Sequence, residues 1–170
     1  MERKHPANVF VRECISQALF QLMEKQDFRK ITVSSLVKTA GVSRNSFYRN
    51  YQSIEDILRQ YLVDKTSQWW AEYLAHPHPN VIEETFQHFL SMKEELLLLY
   101  RCGLPHLLME HIFACGRQSL TGDPDDAYRT SFLSGGLWGL TNQWVLREMK
   151  GSPQEMQALF FTHGQHNPLN

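Results

Sequence analysis

Apolar residues recur along this chain at helical spacing almost from end to end, and nowhere do they alternate with polar ones over the length of a strand. The first stripe, Val11, Ile15, Ala18, Leu19 and Leu22, predicts a helix over Pro6–Lys25, and Pro6 suits a first helical turn. Phe28 and Ile31 carry the chain to Thr32, whose hydroxyl predicts the cap of a short helix from Val33 to Ala40. Gly41 has no Cβ and can take the left-handed conformation that ends a helix, with Val42 filling the corner behind it. Ser43 caps the next helix, from Arg44 to about Asn50. Phe47 and Tyr51 stand at i, i+4 on one side of it, and Arg44, Asn45, Ser46 and Arg49 offer hydrogen-bonding groups on the other.

The pattern continues beyond this segment. Ser53, with Asp56 three residues on, predicts a capped helix running to about Leu74, its inner side marked by Ile54, Ile57, Leu58, Tyr61, Leu62, Lys65, Trp69 and Tyr73. His76-Pro77-His78-Pro79 ends it, because proline cannot continue a helix. Those histidines read as loop residues, since no acid or cysteine at ligand spacing completes a metal site. Asn80 is expected to cap a helix from Val81 to Met92 that turns Ile82, Phe86, Phe89 and Leu90 inward. Glu94 to Cys102 follows, apolar enough through Leu96–Tyr100 to be buried nearly all round, and Gly103 closes it. Pro105 opens a helix to about Leu120 with Leu107, Leu108, His111, Ile112 and Cys115 facing in. Thr121 to Asp126 reads as a loop rich in Gly, Pro and acids. A long helix is predicted from Tyr128 to Lys150 and a last one from Gln154 to about Thr162.

One buried edge and one hydrogen-bonding edge on a short third helix are what a helix lying in the DNA major groove requires. Arg44 can fork onto a guanine edge and Asn45 can bond an adenine edge bidentately, so these two are the expected base readers. Ser46 can reach a base or a phosphate, and Thr32, Ser34, Ser43 and Ser53 put hydroxyls at helix starts where they can face the DNA backbone. Arg49 is either a further phosphate contact or a solvated charge.

Ile31 and Thr32, the pair Leu36 and Val37, Ala40-Gly41-Val42-Ser43, then Phe47-Tyr48 and Tyr51, together resemble the DNA-binding domain of the tetracycline-repressor (TetR) family. The resemblance covers roughly residues 8 to 60. It implies an all-α protein with a three-helix helix-turn-helix DNA-binding domain over 1–52 and a helical regulatory and dimerisation domain over 53–170. It further implies a homodimeric transcription regulator, a repressor by expectation, whose partners are a double-stranded DNA operator and a small-molecule effector. Tyr48 would present its hydroxyl to a phosphate, as the matching tyrosine does in the family.

In the C-terminal part, Trp69, Tyr73, Phe86, Phe89, His106, Met109, Phe113 and Trp138, with Trp70, supply the aromatic and polar surface of an effector pocket, although aromatics at such spacing also build plain cores. Gly135, Gly136 and Gly139 lie inside the long predicted helix at a cost of about 1 kcal/mol each relative to alanine, which a close helix approach would explain. The phrase Phe132-x-x-Gly135-Gly136-x-x-Gly139-x-x-x-x-Trp144 is similar to the penultimate helix of many family members, which packs in the dimer interface. One position departs from the family: a lysine usually follows the residue matching Ser53, and here it is Ile54. That departure leaves a second reading open, a TetR-like co-activator that acts through a protein partner with weak or no DNA binding.

Charge supports an end-on approach to a polyanion. Residues 1–60 hold ten Lys or Arg against six acids, and the remainder holds seven against twelve, so a near-neutral chain hides a basic end and an acidic body. Cys14, Cys102 and Cys115 are widely spaced without a CxxC and read as reduced thiols, as in a cytoplasmic protein. Met1–Val11 lacks the apolar core of a secretory signal, and the longest apolar run, Leu96–Tyr100, is too short to cross a bilayer. Enzyme chemistry is not expected: no phosphate-cradling glycine loop and no nucleophile, histidine and carboxylate set at motif spacing is present, and neither metal nor cofactor is called for.

Overall fold

The computed structural model describes residues 6–76, 79–118 and 123–165, with the side chains of residues 6, 7, 124 and 163–165 left aside. Every regular element among the described residues is helical, and the chain divides into two compact units, Met1–Asp64 and Lys65–Asn170. The division falls inside one uninterrupted helix rather than at Ser53, where the resemblance sets the domain boundary.

The first unit contains α1 (Pro6–Lys25), α2 (Val33–Ala40), α3 (Arg44–Asn50) and the opening turns of α4 (Ile54–Ala75). α1 packs across both α2 and α3, and α2 packs on α3. The core holds Ile15, Leu19 and Met23 of α1, Leu36 and Val37 of α2, Phe47 and Tyr51 at α3, and Ile57, Leu58 and Leu62 of α4. Burying each large aliphatic among these contributes about 1.5–3 kcal/mol. A short 3₁₀ turn over Phe28–Lys30 joins α1 to α2 and was not foreseen; Asp27 starts it by accepting from the Arg29 N–H at 2.9 Å.

The second unit gathers on α8 (Pro124–Leu146). α6 (Lys93–Arg101), α7 (Pro105–Gln118) and α9 (Pro153–Gln165) all pack against it, and α5 (Val81–Ser91) packs on α6 and α9. Phe86, Phe89, Leu96, Leu99, Leu107, Leu108, Ile112, Trp144 and Val145 form its core. Trp144 is held there by an edge-on contact with Phe86 and by its Nε1–H, which donates to the Lys150 carbonyl at 2.9 Å.

Several expectations are corrected in this unit. Asn80 makes no side-chain cap on α5; its amide instead points to the Glu83 carboxylate at 3.5 Å. α6 is not buried all round, since Leu97 and Tyr100 are only half-buried. Lys65 is exposed and Thr66 takes its place on the inner side of α4, because the stripe steps from Leu62 by four residues and then by three to Trp69. The predicted loop Thr121–Asp126 lies partly outside the described residues, and its last residues are helix. Asp123 caps α8 by accepting from the Asp125 N–H at 3.0 Å, Pro124 occupies the first turn, and Asp125 and Asp126 sit at the positive end of the helix dipole. α8 therefore starts four residues before Tyr128 and stops at Leu146, where Glu148 (φ 58°) and Met149 (φ 53°) turn the chain toward α9. The end predicted for α7 at Leu120, and His78 of the histidine-proline loop, lie outside the described residues.

The glycine expectation also changes. A Cβ on Gly116 of α7 would fall 2.3 Å from Ser134 Oγ and 3.1 Å from Thr130 Cγ2, so this is the glycine that a close helix contact inside the unit requires. At Gly135 and Gly136 the nearest atoms would be at 4.0 Å (Phe113) and 3.5 Å (Phe160), and at Gly139 nothing lies within 4 Å.

Candidate nucleic-acid interface

The expected DNA-contact residues cluster at three helix starts. At α2, Thr32 and Ser35 cap each other: Thr32 Oγ1 accepts from the Ser35 N–H, and Ser35 Oγ accepts from the Thr32 N–H, both at 3.1 Å. This reciprocal box uses serine where glutamate or glutamine is usual. Gly41 ends α2 at φ 66°, and the Val42 N–H donates back to the Val37 carbonyl at 3.1 Å, which fixes the corner. At α3, Ser43 Oγ accepts from the Ser46 N–H at 3.1 Å. At α4, Ser53 Oγ accepts from the Asp56 N–H at 3.1 Å, while the Asp56 carboxylate reaches one residue further back than expected, to the Gln52 N–H at 3.0 Å.

These turns set which edge of α3 is buried. Phe47 is fully enclosed and Tyr51 nearly so, with the Arg12 guanidinium 5.7 Å from the Tyr51 ring centre. Burial raises the Tyr51 phenol pKa above its ordinary value, so it stays neutral. The opposite edge faces outward: Arg44, Asn45 and Arg49 are exposed, Ser46 is half-buried, and Tyr48 is 63% exposed although its ring packs edge-on against Phe47 at 5.1 Å. A tyrosine so open gains little from burial.

The expected site residues are exposed or half-buried, with differing commitments. Thr32, Ser43 and Ser53 are exposed but spend a lone pair on capping. Ser34 accepts a hydrogen bond from Arg44. Ile54, at the place of the family's lysine, is a half-buried first residue of α4.

Residues 15–61 match the family model for bacterial regulatory proteins of the tetR family. This stretch is a TetR-type DNA-binding module. The match spans α1 from Ile15 through the opening turns of α4, so the TetR module coincides with the helices that carry the exposed edge of α3. No curated protein matches the chain. Among the described residues no helix is long and apolar enough to cross a membrane.

In the second unit the residues expected to line a pocket are only partly brought together. Trp69 packs with Trp70 and Tyr73 at 5.6 and 5.8 Å, Phe86 and Phe89 are buried, His106, Phe113 and Trp138 are half-buried, and Met109 is exposed. What sequence reasoning missed is a buried polar cluster beside them. Thr66 Oγ1 lies 2.8 Å from His111 Nε2 and 3.4 Å from His88 Nε2, Cys115 Sγ lies 3.6 Å from His111 Nε2, and Trp69 stacks on His88 at 5.0 Å. A hydroxyl has one proton, so it can donate to one imidazole lone pair and accept from the other ring's N–H. Burial drives the His88 pKa down to about 4, with His111 and Lys65 adding to the effect, and burial also lowers His111. Both rings are therefore neutral at neutral pH, and burial keeps the Cys115 thiol protonated. The sequence turns His111 and Cys115 inward, and Thr66 stands at helical spacing between Leu62 and Trp69, but the meeting of these residues with His88 has no local signal. Among the described residues no group of three or more His, Cys, Asp or Glu can hold a metal ion.

Proposed function

We propose that the protein is a homodimeric transcriptional repressor that leaves its operator when a small molecule binds the second unit. The observation that carries the DNA-reading half is the two-sided α3, with Phe47 enclosed while Arg44, Asn45, Arg49 and Tyr48 stand outward. Arg44 and Asn45 read base edges; Tyr48, Ser46, Arg49 and the hydroxyls of Thr32, Ser43 and Ser53 meet the sugar-phosphate backbone. Two copies are needed because one recognition helix covers one half-site. The dimer face is the outer side of α8, where Tyr128 is 78%, Phe132 67% and Leu146 61% exposed and Gly139 has open space beside it. Trp144, named with that face from sequence, is 2% exposed and belongs to the unit's own core. An effector would bind among Trp69, Tyr73 and Phe89 beside the neutral His88–Thr66–His111 cluster, and would favour a dimer whose half-site separation no longer fits DNA.

The test is selection of duplexes from a random pool, followed by anisotropy titrations. Arg44→Ala should weaken binding to the selected duplex more than to a scrambled one, by about 1–3 kcal/mol of discrimination. Tyr48→Phe should weaken both alike. Equal losses for Arg44→Ala would remove it as a base reader. Failure to enrich any sequence, together with capture of a protein partner by the exposed edge of α3, would favour the co-activator reading that Ile54 leaves open.

A further inference from the structure

Ser34 and Arg44, near the starts of α2 and α3, are tied to each other: Arg44 Nη2 donates to Ser34 Oγ at 2.5 Å. Both side chains are exposed, so the bond serves no core, and it links residues ten apart across the turn at Gly41. A guanidinium offers two hydrogen-bonding edges, one from Nη1 and Nη2 and one from Nε and Nη2. A single Nη2 hydrogen spent on Ser34 leaves one edge whole whichever hydrogen is used. That edge can still fork onto the O6 and N7 acceptors of guanine. An unheld arginine must give up rotamer freedom when it binds, whereas an arginine already held loses less.

We propose that Ser34 is a positioning residue for base readout, fixing the direction of the Arg44 fork, rather than a phosphate contact in its own right. The proposal rests on the reading of Arg44 as a base contact. It predicts that Ser34 acts on sequence discrimination and leaves non-specific grip alone, because the hydroxyl adds no charge and displaces no counterion.

The experiment uses the full chain, the tightest duplex selected from a random pool and a scrambled duplex of equal length, with anisotropy titrations over a series of salt concentrations. Ser34→Ala is expected to lower the affinity ratio between the two duplexes by about three- to tenfold, a fraction of what a bidentate contact supplies. The scrambled affinity and the salt slope should stay unchanged. Ser34→Thr, which keeps the hydroxyl, should restore the ratio, and Ser34→Ala added to Arg44→Ala should cost nothing more. An equal loss on both duplexes, at an unchanged salt slope, would make Ser34 a phosphate contact and overturn the proposal. If Arg44→Ala lowers the ratio and Ser34→Ala does not, only the role of Ser34 falls. If Arg44→Ala leaves the ratio unchanged, the base-reading role of Arg44 falls, and that of Ser34 with it. Thermal melts of each variant separate these outcomes from loss of fold.

Discussion

Thr141 is fully enclosed on α8, and its Oγ1 is the buried side-chain oxygen that finds no hydrogen-bond partner among the described residues. A buried hydroxyl left unpaired costs about 1–3 kcal/mol, and an isosteric methyl carries no such cost. Thr141→Val should therefore raise the midpoint of thermal unfolding, by the equivalent of about 1 kcal/mol; a fall would mean that the hydroxyl is satisfied in solution. His88 makes a pH prediction. Its folded pKa of about 4 lies below the ordinary 6.5, so as pH falls below about 6.5 the unfolded chain takes up protons first. Stability should decline from there toward pH 4, and His111, also lowered, adds in the same direction. Urea midpoints at pH 7 and pH 5 should differ, and His88→Gln should shrink the difference. An undiminished difference would place the titrating group elsewhere.

Among elements, the contrast between two glycines is the sharpest. Substituting leucine at Gly116 drives atoms into Ser134 and Thr130 at the α7–α8 contact and should cost more than 2 kcal/mol, as overpacked sites do. Gly139→Ala meets nothing within 4 Å and should leave the isolated chain equal or up to about 1 kcal/mol more stable. Denaturation midpoints at low protein concentration compare the two. The sequence drew attention to Gly135, Gly136 and Gly139 because they interrupt an apolar helix, and passed over Gly116 because the atoms that crowd it come from another helix. The same distinction separates what was legible from what was not. Thr32, Gly41 and Ser43 act on their own chain neighbours, and all three do in the structure what their chemistry predicted. The start of α8 was misread although Asp123, Pro124 and two acids are a helix-start signature, because Gly122 and the acids also compose a loop. The His88–Thr66–His111 cluster draws on helices far apart in sequence, and no local pattern announces it.

At the scale of the molecule, the proposed dimer turns on the outer face of α8. Phe132→Glu puts a charge into that face without touching the core, since Phe132 is 67% exposed. It should convert a dimer to a monomer in sedimentation and lower affinity for a two-half-site duplex far more than for a single half-site. A monomeric wild-type chain that binds both duplexes alike would remove dimerisation from the function. The module boundary bears on inheritance as much as on stability. Ile57, Leu58 and Leu62, from the first half of α4, are buried in the first unit, and Asp64 closes that unit with an ion pair to Arg12 at 2.6 Å. A reading head cut at residue 52 would leave those apolar contacts behind. Exchange of such heads between regulators should keep the first unit's core intact only where the crossover falls beyond Asp64, so the portable unit of recognition would carry half of a helix that continues into its neighbour.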